Sequence, residues 1–337
     1  MTITKAISKV MNKEDLSYEE AREVMDEIMN GKASQVEMAS YLTALSMKGE
    51  SIEEITGSAE GMRQAGTKLE HDNKVLEIVG TGGDGSNSFN ISTTAAIVIA
   101  AGGVAVAKHG NRAASSRSGA ADCLEELGVK IDIDPEQNTE ILKKTNICFL
   151  FAQKYHSAMK YVGPVRKELG IRTVFNILGP LTNPANASMQ VMGVYAKELV
   201  EPLAHVLHNL GVRRGMVVYG EDKLDEISMS SETYICEINQ EEYHTYTIKP
   251  EDFGYHRCQK EELLGGTPKE NAQITRDILM NKDQGAKKGA VCMNAGAALY
   301  IAGVTNSLEE GVRLAEEIIK DGRAFAKLEE FIEETNR

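Results

Sequence analysis

Apolar residues recur every three or four positions through the first 70 residues of this 337-residue chain, a spacing typical of amphipathic helices. A serine followed three positions later by a glutamate can satisfy the free N–H groups of a helix start. Such pairs occur at Ser17 and Glu20, Ser34 and Glu37, and Ser51 and Glu54. Glycine favours the left-handed position that ends many helices, which predicts helix ends at Gly31, Gly49 and Gly66. The pattern predicts a small all-helical domain over residues 1–70.

From residue 71 onward, short apolar runs of residues that favour strands alternate with helical periods. Strands are predicted at 75–79, 104–107, 148–152, 189–195 and 215–220, and helices at 92–103, 118–128 and 197–211. Residues 307–335 read as one or two amphipathic surface helices. Alternating strands and helices predict a mostly parallel central sheet, with ligand sites in the loops at the carboxyl ends of its strands. The predicted fold class is therefore α/β, with the helical domain followed by a larger α/β domain over residues 71–337.

A glycine-rich loop, GTGGDGSNSFNIST at residues 80–93, follows the first predicted strand. Gly80, Gly82 and Gly85 match the spacing of a dinucleotide-binding loop. However, Lys108 stands where such a site would carry an acidic residue, and Asp84 would repel a pyrophosphate unless a divalent cation or a sugar hydroxyl lay between them. The loop therefore suits a metal-loaded, hydroxyl-rich phosphate ligand better than a dinucleotide.

The second half of this loop opens the next predicted helix. Asn90, Ser92 and Thr93 would place hydroxyl and amide groups at a helix N-terminus, where backbone N–H groups and the helix dipole favour an anion. The alternative is that Ser92 merely caps the helix.

A second polar loop, KHGNRAASSRSG at residues 108–119, is predicted between the strand at 104–107 and the following helix. Its polar members are Lys108, Asn111, Arg112, Ser115, Ser116 and Ser118. Two adjacent anion-binding loops indicate two anionic groups on one ligand, and a ribose with a 5′-phosphate and a 1-pyrophosphate fits both. A solvated polar loop is the alternative, and a structural role for His109 is as plausible as a catalytic one.

Overall charge and hydropathy limit the partners and the compartment. Aspartate and glutamate number 50 against 37 lysines and arginines, a formal net charge of −13, which argues against binding to nucleic acid or anionic membranes. No stretch of about 18 apolar residues and no apolar leader segment is present. A cytoplasmic protein without membrane partners is predicted.

Four segments together resemble the successive motifs of the anthranilate phosphoribosyltransferase family: residues 80–93, 108–128, 163–185 and 222–228. The predicted N-terminal helices match that family as well. The resemblance implies a fold of the nucleoside phosphorylase/phosphoribosyltransferase type, with a helical segment around residues 157–185 joining the N-terminal domain. It also implies transfer of the phosphoribosyl group of 5-phosphoribosyl 1-pyrophosphate to the amino group of anthranilate. The products are N-(5-phosphoribosyl)anthranilate and pyrophosphate, and the pathway is tryptophan biosynthesis.

The resemblance also implies which residues bind the substrates. The phosphoribosyl pyrophosphate site would comprise Gly80, Gly83, Asp84, Ser88, Asn90, Ile91, Ser92, Thr93, Lys108, His109, Gly110, Asn111, Arg112, Ala113, Ala114, Ser115, Ser116 and Ala120. Anthranilate would contact Gly80, Asn111 and Arg166. A guanidinium suits the carboxylate of anthranilate because it can pair with it through two hydrogen bonds. The alternative is that Arg166 is a surface cation on a helix.

Magnesium is the implied cofactor, with two ions per subunit, and Ser92, Asp225 and Glu226 are its implied ligands. Adjacent carboxylates suit Mg²⁺, which prefers hard oxygen ligands and takes one or two carboxylates together with phosphate oxygens. On their own, Asp225 and Glu226 could instead form a solvated turn. No residue is assigned as a general acid or base.

Two positions depart from one common form of the family pattern: Gln153 and Ser157 replace prolines, which affects the wall of the path for anthranilate. A homodimer joined through the helical domain is also implied, as is association with anthranilate synthase. Three alternatives remain: a pyrimidine nucleoside phosphorylase, a dinucleotide oxidoreductase, and a catalytically silent relative that binds nucleic acid or a regulatory partner. The last predicts a basic face and lost metal carboxylates, whereas this chain is acidic and carries Asp225 and Glu226.

Overall fold

The computed structural model describes residues 1–113 and 116–337. The first four helices are α1 Ile3–Met11, α2 Tyr18–Met29, α3 Gln35–Lys48 and α4 Ile52–Gln64. The three predicted helix starts are confirmed. At each one the serine side chain accepts from the glutamate backbone N–H, and the glutamate carboxylate accepts from the serine N–H. Local hydrogen bonding therefore sets where α2, α3 and α4 begin.

Two of the three predicted helix ends have the expected backbone. Gly31 follows α2 with φ 67° and Gly49 caps α3 with φ 87°, both in the left-handed region. Helix α4 also ends just before Gly66, as predicted, but Gly66 does not have the positive φ expected of a left-handed helix end. A Cβ at Gly66 would lie 3.0 Å from His156 Nδ1 and 3.3 Å from the Tyr155 carbonyl oxygen. Close packing, not backbone conformation, explains glycine at this position.

Within the described residues, seven strands form one sheet in the order β3-β2-β1-β4-β5-β6-β7. Their bounds are β1 Leu76–Gly80, β2 Val106–Gly110, β3 Ile147–Phe151, β4 Met189–Gly193, β5 Arg214–Gly220, β6 Thr233–Asn239 and β7 Glu242–Ile248. The first five strands are parallel, while β6 and β7 add an antiparallel hairpin at one edge. The predicted α/β class and mostly parallel sheet are confirmed. The hairpin was not predicted, because its outermost strand is largely exposed and lacks a long apolar run.

The remaining helices connect or cover these strands. They are α5 Ile91–Ala101, α6 Ala120–Leu127, α7 Pro135–Thr145, α8 Ala152–Tyr155, α9 Met159–Leu169, α10 Phe175–Leu181, α11 Val200–Asn209, α12 Pro268–Leu279, α13 Ala286–Ile301, α14 Leu308–Lys320 and α15 Arg323–Thr335. Short 3₁₀ turns occupy Lys197–Leu199, Pro250–Phe253 and Lys260–Leu263. The predicted C-terminal amphipathic segment is therefore two helices. Within the described ranges, no helix is long and apolar enough to cross a membrane.

Two apolar cores lie on opposite faces of the sheet. In β5, Met216 and Val218 pack into the larger core with α5 and α13, whereas Val217 and Tyr219 pack into the second. This alternation follows from the two-residue period of a strand. The second core also contains buried residues of α1 to α4 and of α9, α10 and α11. Helices α9 and α10 therefore pack with the N-terminal helices, although they are distant from them in sequence.

Candidate active site

A cavity of about 630 Å³ opens at the carboxyl ends of β1 and β2. The chain passes outward from β1 through β2 to β3 and then returns to β4 beside β1, so the strand order reverses at β1. Open α/β sheets bind ligands in the crevice at such a reversal. The glycine loop after β1, the N-terminus of α5 and the end of β2 line one side, and residues of α9 and α10 line the other.

The structure brings the predicted site residues together around this cavity. Its lining includes Gly80, Gly83, Asp84, Ser88, Asn90, Ile91, Ser92, Thr93, Lys108, His109, Gly110, Asn111, Arg112, Ala113, Ser116, Ala120, Arg166, Asp225 and Glu226. Ala114 and Ser115, also predicted, lie outside the described residues. Gln153 lines the cavity too, and Ser157 is not among its lining residues. The roles assigned to these side chains stay predictions.

Asp225 reaches the glycine loop across the end of the sheet. Its Oδ2 accepts from the Gly82 N–H at 2.6 Å, and its own N–H donates to Asp84 Oδ2 at 3.4 Å. The segment passes so close to the strand ends that a Cβ at Gly80 would lie 2.7 Å from Asp225 Cγ, and one at Gly193 would overlap the Asp225 carbonyl. Glycines at the ends of β1 and β4 therefore leave the space in which Asp225 sits.

Glu226 and Lys108 meet at the start of α5. The Ser92 N–H donates to Glu226 Oε1 at 3.2 Å, and Lys108 Nζ donates to Ser92 Oγ at 3.3 Å. The helix is capped at Asn90 and Ser92 lies within its first turn, so the alternative that Ser92 is the capping residue is wrong. A carboxylate, a hydroxyl and an ammonium group thus face one another at a helix N-terminus.

The charges of this cluster fit a divalent cation. Asp225 and Glu226 are each only 8% exposed. Burial, together with the nearby carboxylates of Asp84 and Glu226, raises the pKa of Asp225 well above its usual range. Burial raises the pKa of Glu226 to about 7, and the Lys108 charge opposes this. Buried carboxylates that repel one another are stabilised by a bound cation, so these side chains suit Mg²⁺.

The protein offers few metal ligands of its own at this place. In the part of the chain that the structure describes, no three His, Cys, Asp or Glu side chains are close enough to hold a metal ion together. Magnesium is commonly held by one or two carboxylates, water and the phosphate oxygens of a substrate. Asp225, Glu226 and the Ser92 hydroxyl match the protein's share of such a site.

The second polar loop differs from its predicted form. The strand β2 begins two residues later than predicted and pairs with β3 as far as Gly110. Its last residues are therefore Lys108, His109 and Gly110, which were predicted to lie in the loop. The Arg112 guanidinium pairs with Glu125 and, at 3.1 Å, with Asp122. These carboxylates raise the pKa of Arg112 further above its usual value. Arg112 is thus held by α6, at the rim of the cavity.

Two buried histidines lie side by side in the cavity wall, with ring centroids 5.1 Å apart. His109 Nδ1 lies 3.3 Å from the Gly179 carbonyl oxygen, and His156 Nε2 lies 2.9 Å from that of Thr182. Carbonyls only accept, so these nitrogens carry the protons. Burial lowers the pKa of His109 to about 3 and that of His156 to about 4. Both rings are therefore neutral near pH 7.

Neutral burial of His156 predicts a pH-dependent stability. Its pKa in the unfolded chain is near 6.5, so below that pH the unfolded state binds a proton that the folded state binds only near pH 4. The stabilisation is complete above pH 6.5 and is lost as the pH falls through 4, by about 3 kcal/mol. At pH 7 the native protein should have a larger free energy of unfolding than the His156→Gln variant. We expect this difference to be smaller by about 3 kcal/mol at pH 4. Urea titrations at each pH measure it, and parallel curves for the two proteins would contradict the prediction.

Arg166 extends from α9 to the wall opposite the carboxylates. Its guanidinium lies 5.1 Å from the centre of the Phe175 ring, and burial lowers its pKa. Across residues 1–113 and 116–337, no carboxylate lies within 4 Å of it. This placement does not fit the alternative of a solvated surface cation. A half-buried guanidinium without an acidic partner is suited to an incoming carboxylate.

Two polar contacts fix the rim. Gln153 Nε2 donates to Asn111 Oδ1 at 3.3 Å, and this oxygen also accepts from the Arg112 N–H at 2.8 Å. Arg172 stacks 4.0 Å from the centre of the Tyr195 ring and donates to the Gly83 carbonyl at 2.7 Å. The departure at Gln153 therefore adds a donor that orients Asn111.

Sequence reasoning missed most of the wall formed by the helical side. Met62, His156, Met159, Phe175, Asn176 and Leu178 line the cavity and were not predicted. Phe175, Asn176 and Leu178 belong to the motif at residues 163–185, which was the available signal. Met62 carries no such signal, because an apolar residue on an amphipathic helix is normally read as core.

Two family models match the chain in succession. The one described as "Glycosyl transferase family, helical bundle domain" matches residues 4–66, and "Glycosyl transferase family, a/b domain" matches residues 72–325. An anthranilate phosphoribosyltransferase of Methanobrevibacter smithii is 62% identical over 334 residues, 99% of each chain. The chain belongs to the anthranilate phosphoribosyltransferase family. Another member, from Lachnoclostridium phytofermentans, is 56% identical over 335 residues, again 99% of each chain.

Solved structures of anthranilate phosphoribosyltransferases share the whole fold. The Thermus thermophilus enzyme superposes with a TM-score of 0.94 at 47% identity, over 98% of this chain and 99% of that one. The Saccharomyces cerevisiae enzyme in complex with PRPP and Mg gives 0.91 at 29% identity, over 99% and 98%. The predicted family and fold are confirmed. Membership of this family excludes two of the alternatives raised from the sequence, a pyrimidine nucleoside phosphorylase and a dinucleotide oxidoreductase.

Proposed function

We propose that the protein transfers the phosphoribosyl group of 5-phosphoribosyl 1-pyrophosphate to the amino group of anthranilate, releasing pyrophosphate, in tryptophan biosynthesis. One observation carries the proposal. A single cavity holds the buried carboxylates Asp225 and Glu226, the buried cation Lys108 and a helix N-terminus on one side, and Arg166 on the other. Family membership and the PRPP and Mg bound by the yeast enzyme support this assignment.

The anionic substrate is assigned to the side of the sheet. Lys108 is 3% exposed, and its ammonium group lies at the N-terminus of α5. As pyrophosphate departs, negative charge develops on the leaving group, and the buried ammonium and the α5 N–H groups stabilise that charge. Ser92, Asp225 and Glu226 would hold Mg²⁺, which would neutralise phosphate charge when bound. Two ions per subunit is our proposal for the stoichiometry.

Anthranilate is assigned to the opposite wall. Arg166 would pair with its carboxylate and thereby orient the neighbouring amine toward the ribose, and such positioning supplies much of the rate. The aromatic amine is nucleophilic in its neutral form, so the reaction needs no strong base. His109 and His156 are neutral, and each keeps one ring nitrogen without a hydrogen-bond partner among the described residues. We assign no general acid or base.

The decay of anthranilate fluorescence tests the function directly. Purified protein, phosphoribosyl pyrophosphate and Mg²⁺ should together consume anthranilate. Omission of any one of them, or addition of a chelator, should stop the decay. A folded protein that leaves anthranilate unchanged under these conditions would contradict the proposal.

Replacement of Arg166 tests the anthranilate side. We expect Arg166→Ala to raise the KM for anthranilate about 30-fold, because loss of a partly buried charge pair costs about 2 kcal/mol, and to leave the KM for phosphoribosyl pyrophosphate within about threefold. Lys167→Ala, the exposed neighbour, is the matched control and should change neither constant. Steady-state kinetics with each substrate varied separately measures both. An unchanged KM for anthranilate would remove Arg166 from the site.

We propose four further properties on the same basis. The helical domain spans residues 1–70 and is completed by residues 157–185, and the catalytic domain begins at 71.

The protein is a homodimer joined through the helical domain, since Met11, Val36 and Met47 present 69%, 76% and 84% exposed apolar side chains there. It is cytoplasmic, and it associates with anthranilate synthase. Light scattering of the purified protein tests the dimer, and co-purification with the synthase tests the association.

A further inference from the structure

The parallel sheet is incompletely paired between β1 and β2, and this boundary between the two strands is called the β1–β2 seam. β1 pairs with β4 over five residues, and β2 pairs with β3 over five. Between β1 and β2, however, only Leu76 and Val106 are in register. The seam runs directly to the cavity, because β1 ends at the glycine loop and β2 ends at Lys108, His109 and Gly110.

Side chains replace the missing backbone hydrogen bonds across this seam. Glu77 Oε1, from β1, accepts from the His109 backbone N–H at 2.9 Å. In the reverse direction, Lys108 Nζ from β2 donates to the Ile78 carbonyl at 2.7 Å. Glu77 is fully buried, and its second oxygen accepts from Asn183 Nδ2, which also donates to the Ala107 carbonyl at 2.8 Å. The carboxylate therefore ties the end of β2 to β1 and to residue 183.

A carboxylate is a costly group to bury for structure alone, since an apolar residue of similar size often stabilises a core as well or better. The N–H that Glu77 binds belongs to the peptide bond between Lys108 and His109, and both of these residues line the cavity. We propose that Glu77 is a positioning residue that closes the β1–β2 seam and thereby holds Lys108 and His109 in the geometry that binds phosphoribosyl pyrophosphate. This inference rests on the proposed function.

Glu77→Gln is the sharpest single test, because the glutamine keeps the size of the side chain but presents an NH₂ to Asn183. Asn183 cannot turn over to accept it, since its Oδ1 already accepts from the Ala185 N–H at 2.8 Å. We expect the KM for phosphoribosyl pyrophosphate to rise at least 10-fold and the KM for anthranilate to stay within threefold. Calorimetric titration with phosphoribosyl pyrophosphate and Mg²⁺ should show the same weakening without catalysis.

Glu237→Gln is the matched control. Glu237 is another buried strand carboxylate of the same sheet, accepting from Tyr246 OH at 2.8 Å and Tyr300 OH at 3.1 Å, but it lies on β6 and outside the cavity lining. Replacement of a carboxylate that has only a structural role should lower the melting temperature without changing either KM. We expect this result for Glu237→Gln. If folded Glu77→Gln behaves the same way, or raises both KM values equally, the inference is wrong.

Two further results keep the test decisive. If Glu77→Gln does not fold, Glu77→Asp takes its place, because the shorter side chain keeps the charge but withdraws from the His109 N–H, and the same criteria apply. The native protein is assayed first. An inactive native protein would refute the proposed function, whereas an active one with unchanged Glu77 variants would refute this inference alone.

Discussion

Replacing Asp225 with asparagine and Glu226 with glutamine should lower the magnesium-dependent rate about 1,000-fold. Removal of both carboxylates leaves Ser92 as the remaining proposed ligand, and loss of the cation's charge stabilisation costs about 4 kcal/mol in the transition state. Both changes preserve size and keep an oxygen that can accept from the Gly82 and Ser92 N–H groups. The fold should therefore survive, and because burial raises the pKa of each carboxyl group, a neutral amide costs the fold less at these two positions than a buried charge does.

The measurement is the initial rate of anthranilate consumption as Mg²⁺ is varied from micromolar to millimolar. Asp222→Asn is the matched control in the same segment. Its carboxylate accepts from Ser228 and Ser231 hydroxyls at 3.0 and 2.9 Å, and it does not line the cavity. This control should keep the native response to Mg²⁺. A double variant that retains a tenth of the native rate would contradict the assignment of the metal ligands.

Gly80→Ala should lower the rate about 100-fold through steric displacement alone. Its new Cβ would lie 2.7 Å from Asp225 Cγ, closer than real Cβ atoms approach a neighbour, and 3.0 Å from the Asp225 carbonyl oxygen, which is tighter than most real Cβ contacts. Asp225 must move by about 1 Å, and misplacement of that size in a catalytic site costs about 100-fold in rate. The half-saturating Mg²⁺ concentration should rise as well, because the Asp225 carboxylate, a proposed ligand, is displaced. All the proposed ligands are still present, so binding should be weakened and not abolished.

Gly163→Ala controls for the loss of a glycine. It lies in α9, where an added Cβ meets nothing within 4 Å, and its φ is not positive. Rates for this variant should stay within threefold of the native protein. If Gly80→Ala shows native Mg²⁺ dependence, the tight approach of Asp225 to the end of β1 is not needed for the reaction.

Local signals allowed much of the fold to be predicted. The capping pairs at Ser17, Ser34 and Ser51 involve atoms only three residues apart, so tertiary packing has little power to override them. Gly128 likewise ends α6 with φ 97°, as its position after an apolar period predicts. Helix α4 ends before Gly66 as predicted, but the reason for glycine there is close contact with His156 and Tyr155, about 90 positions away, and no local pattern reports such a contact.

The candidate site was predictable to the extent that its motifs are contiguous. The glycine loop and the polar segment after the second strand follow neighbouring parallel strands, whose carboxyl ends meet at one edge of the sheet. The helical wall was not predictable in this way. His156 and Met62 line the cavity because α4 and the segment after β3 pack beside the sheet. Methionine and histidine also occur in protein cores, so the residue type alone does not indicate a binding site.

By itself the sequence determined the local elements, the parallel α/β class and the chemistry available to the site, because periodicity, caps and loop residues act over a few positions. Tertiary structure alone decided which side chains combine. It brings the Asp225 carboxylate to the Gly82 N–H across 143 positions, engages Arg112 with α6, and sets Glu77 across the β1–β2 seam. The physical reason is that a side chain's partners are fixed by which strands and helices pack together. Packing sums many weak contacts from the whole chain, and no short segment records that sum.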